Sequence, residues 1–326
     1  METLILAAPK IYLDTCHLIN IAKVRSGNDQ SVLESRWAAY ARIDNLIRNC
    51  HFGLVFNPAA PLDWLNGNAT LESALEIADV VDSAHLQYEF EVDTFVYLHE
   101  VLKELRRLDP DLSLPEYEVL HVRACNRTAR RALAVLINTV PSFFDEGELV
   151  DNSNELPPDV PFGTAREAVE RAWKFKQERP HVFQERVDGY KDAFNRDLDT
   201  FGNRSSKPIQ SRDFVEWMTR YLRVDRILTA LNVDVDVDSL LGNVEISNCP
   251  AANLFFNARE KRVRAANAPA DNDVDDWLYL PAFAYADLVL TERNLRSFIQ
   301  QADPALVDNA THEPTRAIEI LTKCTA

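Results

Sequence analysis

Glycine is scarce in this chain, 8 residues in 326, while proline numbers 16. With Ala, Leu, Glu and Arg plentiful, that shortage speaks against an all-β protein built on tight turns and for a helix-rich one. Cysteine is sparse and odd in number (Cys16, Cys50, Cys125, Cys249, Cys324), with no Cys-x-x-Cys or Cys/His spacing. A zinc site and a dense disulfide framework are therefore not expected. No apolar run approaches the ~20 residues that a membrane helix needs. Nor does the N-terminus carry a basic segment followed by a signal-length apolar run. The expectation is a protein of the reducing cytoplasm. Positive charge is also short: 35 Lys and Arg face 51 Asp and Glu, a formal net charge of -16. That balance argues against nonspecific binding across a broad nucleic-acid surface, because phosphate contacts come from Lys and Arg. It leaves room for a localised basic groove whose binding would depend strongly on salt.

Hydrophobic residues make up 46% of the chain, ample for a buried core. The length suits one core with a substantial insertion. Residues 10–14 read as a short buried strand, followed from Thr15 by a helix carrying Leu18, Ile19, Ile21 and Ala22. Residues 35–49 have helical spacing, and Gly53-Leu-Val-Phe56 reads as a second strand, the opening of a right-handed β-α-β unit. Helices are predicted over residues 69–83 and 91–108, and a mostly helical stretch from 115 to about 241, broken by prolines. The acidic, proline-containing residues 145–162 read as an exposed loop or local disorder. Near the end, 273–286 predicts a helix kinked or split at Pro281. Residues 288–290 read as a strand, 294–301 as a short helix and 317–321 as a last strand. The expected architecture is an α/β core from residues 1–110 and 242–326, with a helical insertion over 111–241.

Two segments concentrate carboxylates where such a core binds ligands, at strand ends and the starts of adjoining helices. One is Leu13-Asp14-Thr15; the other runs from Asn272-Asp273-Val-Asp-Asp276 to Asp287-Leu-Val-Leu-Thr291-Glu292-Arg293. Asp14 can be a helix N-cap, or a metal ligand emerging from a core strand. Asp273, Asp275 and Asp276 crowd one helix start, where the dipole contributes typically ~0.3–1 kcal/mol each. A like-charged pair ~4 Å apart at an effective dielectric near 20 costs about 4 kcal/mol, which the dipole does not offset. The acids must splay into solvent or share a cation, and Mg²⁺ and Mn²⁺ favour such hard oxygen donors. Asp273 and Asp276, at i, i+3, share a helical face. A parallel strand would carry Thr291 and Glu292 to the same edge as Asp14, and leave Asp287 toward the opposite end. The chemistry indicated is metal-dependent phosphodiester hydrolysis.

At these residues the chain resembles the PIN-domain family of Mg²⁺/Mn²⁺-dependent nucleases, through Leu13-Asp14-Thr15, Asn272-Asp273-x-x-Asp276 and Tyr285-Ala-Asp287-Leu-Val-Leu-Thr291-Glu292-Arg293. The resemblance covers residues 8–65 and 245–320. It implies a three-layer α/β/α core with a mostly parallel sheet, and a middle acid shortly after the second strand. Asp63 is the candidate for that acid and Glu72 the alternative. Asp63 stands where Glu is commoner, and Glu292 where Asp is. On this reading Asp14, Asp63, Asp273, Asp276 and Glu292 are the catalytic, metal-holding residues, binding Mg²⁺ or Mn²⁺ that activates water. Thr15 and Thr291 would contact water or substrate, and His17 would be packed or solvated rather than a base. The family implies RNA as the substrate. Arg293 and the basic helical face containing Arg127 and Arg131 would hold it. The run Arg259 to Arg264, and Lys174, Lys176 and Arg179 beside Trp173 and Phe175, are further candidates. The alternatives are a catalytically inactive scaffold whose helical insertion binds a protein partner, and a structure-specific DNase.

Overall fold

The computed structural model describes residues 8–27, 34–49, 52–57, 60–65, 69–91, 93–122, 132–140, 163–181, 188, 192, 211–233, 236–264 and 279–324. The centre is a sheet of six strands: β1 (Lys10–Leu13), β2 (Gly53–Phe56), β3 (Gln87–Phe90), β4 (Leu120–Val122), β5 (Leu288–Leu290) and β6 (Ala310–Thr311). Their spatial order is β4-β3-β2-β1-β5-β6. All neighbours are parallel except β3 and β4, which run antiparallel. The protein is thus α/β with a mixed, mostly parallel sheet.

The strand sequences fit that position. Ile-Tyr-Leu of β1, Leu-Val-Phe of β2 and Leu-Val-Leu of β5 are continuous apolar runs and are buried throughout. Parallel strands covered on both faces have this pattern, rather than an alternation of apolar and polar residues. Gly53 opens β2 for a steric reason: a Cβ there would lie 2.1 Å from Cε2 of Tyr88 on β3.

Right-handed crossovers decide which helices lie on which face. The chain passes from β1 to β2 through α1 (Thr15–Arg25) and α2 (Glu34–Arg48). It continues to β3 through α3 (Ala60–Trp64) and α4 (Leu71–Asp82) in the same direction across the sheet. The passage from β5 to β6, through α13 (Arg293–Ala302), runs the other way, so α13 belongs on the opposite face. Packing agrees. Helices α1, α2, α4 and the last helix, α14 (Pro314–Cys324), form one contacting group. Helix α13 packs with α11 (Pro250–Arg264), which also meets α5 (Asp93–Leu108) and α12 (Leu280–Tyr285). Arg25 ties the first group together: its guanidinium donates to Asp44 of α2 and, at 2.9 Å, to the Asp79 carbonyl of α4.

The stretch expected to be mostly helical contains α6 (Ala132–Thr139), α7 (Ala165–Glu178), α8 (Ser211–Arg220), α9 (Val224–Ala230) and α10 (Val237–Gly242). It also contributes β4 to the sheet. Asp82, at the end of α4, accepts the N–H groups of Ala165 and Arg166 at 2.7 and 2.9 Å, capping α7. Helix α8 brings Phe214 and Trp217 against Phe256 of α11, and Trp217 also meets Tyr97 of α5.

One expectation is corrected. Residues 317–321 are not a strand but the middle of α14, and the last strand is β6. The segment Ala-Ile-Glu-Ile-Leu fits either period. Pro314 at the helix start and burial of Ala317, Ile318 and Leu321 at helical spacing decide for the helix. Pro281, expected to kink or split a helix over 273–286, stands in the first turn of α12, whose N-cap is Tyr279 and where a missing N–H costs nothing; residues 273–278 lie outside the described residues. Among the described residues no helix is long and apolar enough to cross a membrane.

Candidate active site

Strand order reverses at β1. The chain moves outward from it to β2 and β3, then returns to its other side as β5 and β6. In open α/β sheets the crevice outside the carboxyl ends of the strands at such a reversal is where ligands bind. Asp14 and Thr291 are the residues that leave β1 and β5 there. The paired strands end at Leu13 and Leu290, and the Asp14 N–H donates to the Leu290 carbonyl at 2.9 Å.

Asp14 stands at the N-cap of α1 with extended backbone. Its carboxylate does not serve mainly as a cap. Oδ1 accepts from the adjacent Thr15 N–H at 2.7 Å, whereas a capping side chain reaches the second or third helical N–H. Oδ2 turns to β5, accepting the Thr291 hydroxyl at 2.9 Å and the Glu292 N–H at 3.3 Å. Both Asp14 and Thr291 are buried.

Thr15 connects this pair to the second acid. Its hydroxyl donates to Oδ2 of Asp63 on α3, which also accepts the Tyr279 hydroxyl at 3.4 Å. Glu292 is the N-cap residue of α13, but its side chain makes no cap bond, and Arg293 follows as the first helical residue. The fold therefore brings Asp14, Thr15, Asp63 and Thr291 into one hydrogen-bonded group, with Glu292 and Arg293 beside it. Glu72 is exposed in the first turn of α4, and no hydrogen bond or ion pair joins it to Asp14 among the described residues. Asp287 lies at the far end of the strand, accepting the Lys10 N–H at 2.7 Å. Asp273, Asp275, Asp276, Arg127 and Arg131 lie outside the described residues, and of the side chains in the basic run 259–264 only Lys261, which is exposed, lies within them. Lys176 of α7 donates to the Leu65 carbonyl, two residues beyond Asp63. Its ammonium lies 6.0 Å from the Trp173 ring centre.

A further layer was not foreseen from the sequence. His17 is buried against the back of the site, with Nε2 3.1 Å from the Thr291 carbonyl and Nδ1 2.9 Å from the Tyr40 hydroxyl. A carbonyl only accepts, so Nε2 carries the proton and Nδ1 accepts from Tyr40. The Tyr40 oxygen in turn accepts the Asn20 amide at 3.2 Å. Burial lowers the His17 pKa, opposed by the Thr291 carbonyl and the Asp14 charge, which suits a neutral ring. Burial raises the pKa of Tyr40, keeping its proton available to donate. A chain of hydrogen bonds thus runs from Asn20 through Tyr40, His17 and Thr291 to Asp14. No sequence signal announces it, because Tyr40 reaches His17 only through the packing of α2 on α1.

Beside this group opens a cleft of about 440 Å³, lined among others by Arg36, Tyr40, Thr291, Glu292, Arg293 and His312. Neither Asp14 nor Asp63 lines it, but Thr291 and Glu292, which donate to Asp14, do; a larger cleft of about 1080 Å³, between α5 and residues 116–118, shares none of these residues.

The donor chemistry of Asp14, Asp63 and Glu292 fits a hard divalent cation. Each ionised carboxylate has about four acceptor positions, so the bonds of Asp14 do not exhaust it. Among the described residues, however, no three His, Cys, Asp or Glu side chains are grouped closely enough to hold a metal ion together. No protein-family model, curated protein or solved structure matches the chain.

Proposed function

We propose that this protein is a divalent-metal-dependent nuclease that hydrolyses phosphodiester bonds, with RNA as substrate. The observation that carries the reading is the buried Asp14 carboxylate at the strand-order reversal, held by Thr291 and joined through Thr15 to Asp63. A sheet of this order places its ligands at that point. An acid oriented by buried partners is how metal-binding carboxylates are supported.

Asp14, Asp63 and Glu292, with Asp273 and Asp276, would hold Mg²⁺ or Mn²⁺. The cation supplies a water of lowered pKa and offsets charge on the leaving oxygen. Thr15 and Thr291 orient the carboxylates, and Arg293 meets the substrate backbone. The basic and aromatic side chains of α7, anchored beside α3, extend the surface available to a strand. Arg127 and Arg131 would add to it. The PIN-like three-layer core and the helical insertion over 111–241 belong to the same reading, as does the choice of RNA over DNA, which follows the resemblance.

A second reading is a catalytically silent scaffold whose helical insertion binds a protein partner. It is favoured by Asp14 Oδ2 already accepting two donors and by the missing three-acid group among the described residues. The deciding experiment is incubation of a pool of structured and single-stranded RNA with the protein and Mg²⁺ or Mn²⁺, beside EDTA controls and Asp14→Asn protein. Single- and double-stranded DNA are run in parallel. Metal-dependent cutting lost in the variant is expected. No cutting of any pool by folded, metal-saturated protein refutes the nuclease and leaves the scaffold.

A further inference from the structure

The cleft beside Asp14 is lined by cationic residues from separate elements: Arg36 from α2 and Arg293, with Asn294, from the start of α13, and His312 between β6 and α14 also borders it. Arg36 is held in place: one terminal nitrogen donates to Glu313 Oε1 at 2.7 Å, and His312 Nε2 lies 3.3 Å from the same oxygen. Glu313 is thereby occupied by two positive or polar partners. The remaining guanidinium donors of Arg36 make no hydrogen bond among the described residues, and its side chain is 36% exposed. Arg293 is exposed and has no ion pair or hydrogen bond from its side chain among the described residues. The volume, about 440 Å³, lies in the range of pockets that enclose a small molecule. A chain with net charge -16 repels polyanions over most of its surface, so two guanidinium groups converging on one cleft mark where a phosphate can approach.

We propose that this cleft is a nucleotide subsite, in which Arg36 and Arg293 grip the backbone phosphate of a single-stranded nucleic acid next to the one cleaved. The inference rests on the nuclease reading for its choice of ligand. Arg36 approaches from one face of the sheet and Arg293 from the other, so a phosphate between them is fixed in position relative to Asp14. Glu292 also borders the cleft and opposes an anion unless a divalent cation beside Asp14 offsets its charge. Binding in the cleft therefore strengthens when Ca²⁺ is supplied.

The test is fluorescence anisotropy with a labelled single-stranded RNA of about ten nucleotides, titrated in Ca²⁺ over a series of salt concentrations. Wild-type protein is compared with Arg36→Lys, Arg36→Gln, Arg293→Gln and, as a remote control, Lys103→Gln. Arg36→Gln and Arg293→Gln are each expected to weaken binding about tenfold. Each should also reduce the slope of log affinity against log salt by about 0.7, the value for one phosphate contact on a single strand. Arg36→Lys keeps the charge but loses the fork, and falls between. Lys103→Gln leaves both quantities unchanged. Arg293→Gln replaces an exposed side chain with no partner among the described residues, so its result does not depend on the Glu313 pairing. Unchanged slopes in both arginine variants, or no RNA binding by wild-type protein, overturn the subsite. Cleavage that persists with unchanged slopes leaves the nuclease standing without it. Arginine-dependent binding without cleavage in Mg²⁺ or Mn²⁺ upholds the subsite and removes the nuclease.

Discussion

Thr291→Val tests whether the hydroxyl of a fully buried residue holds Asp14 in place. Valine keeps the shape of threonine and replaces the hydroxyl with a methyl group. The bond lost is 2.9 Å long and ends on the carboxylate of Asp14, a residue 6% exposed. A hydrogen bond to a charged group contributes about 1.5–3 kcal/mol, and water has little access to replace this one. Asp14→Ala costs more, since it also removes the acceptor of the Thr15 and Glu292 N–H groups. Those additional losses occur with or without the threonine, so they cancel in a double-mutant cycle. The coupling between positions 14 and 291 should be about 2 kcal/mol. Urea unfolding of the wild type, both single variants and the double variant measures it. Independent sites add to within about 0.3–0.5 kcal/mol. A double variant whose loss equals the sum of the single losses within that margin would refute the claim that the two side chains act as a unit. The same change should lower divalent-metal affinity, on the order of 10-fold, if Asp14 is a ligand.

Two further outcomes follow from the fold. Gly53→Ala places a methyl group 2.1 Å from a ring carbon of the buried Tyr88, so the ring must move and stability should fall by about 1–3 kcal/mol, read from the denaturation midpoint. Burial pushes the Asp93 carboxyl, at the start of α5, from 3.8 up to about 6, against the bonds from Thr94. Between those values the folded state binds more protons than the unfolded one. Stability contributed by Asp93 is therefore full below about pH 4 and lost as pH rises through about 6, by at most roughly 3 kcal/mol. Asp93→Asn should flatten that fall in denaturant titrations across the window, and an unchanged pH profile would count against it.

Legibility of the sequence differed by element for physical reasons. β1, β2 and β5 announce themselves because a strand buried on both faces must be apolar at every position. β3 carries Glu89 within Gln-Tyr-Glu-Phe, and this acid is buried, so the run lacks the signal of its neighbours. β6, two residues long, is set by its partner rather than by its own pattern. The meeting of Asp14 with Thr291 and Glu292 was legible, because parallel direction alone fixes which strand ends coincide. The link from Thr15 to Asp63 depends on where α3 lies, and the His17–Tyr40 bond on how α2 crosses α1. Neither is written in local spacing.

The place of β1 also has a consequence in time. Asp14 and Thr291, neighbours in the folded sheet, are 277 residues apart in the chain. At a synthesis rate of ~5–20 residues per second, β1 waits roughly 14–55 seconds on the ribosome before β5 exists to pair with it. During that interval one side of β1 presents an open row of backbone donors and acceptors, the kind of edge that recruits foreign strands. Any product ending before β5 would keep that edge permanently, with Asp14 deprived of the residue that orients it. An assembled site therefore reports that translation has passed position 291.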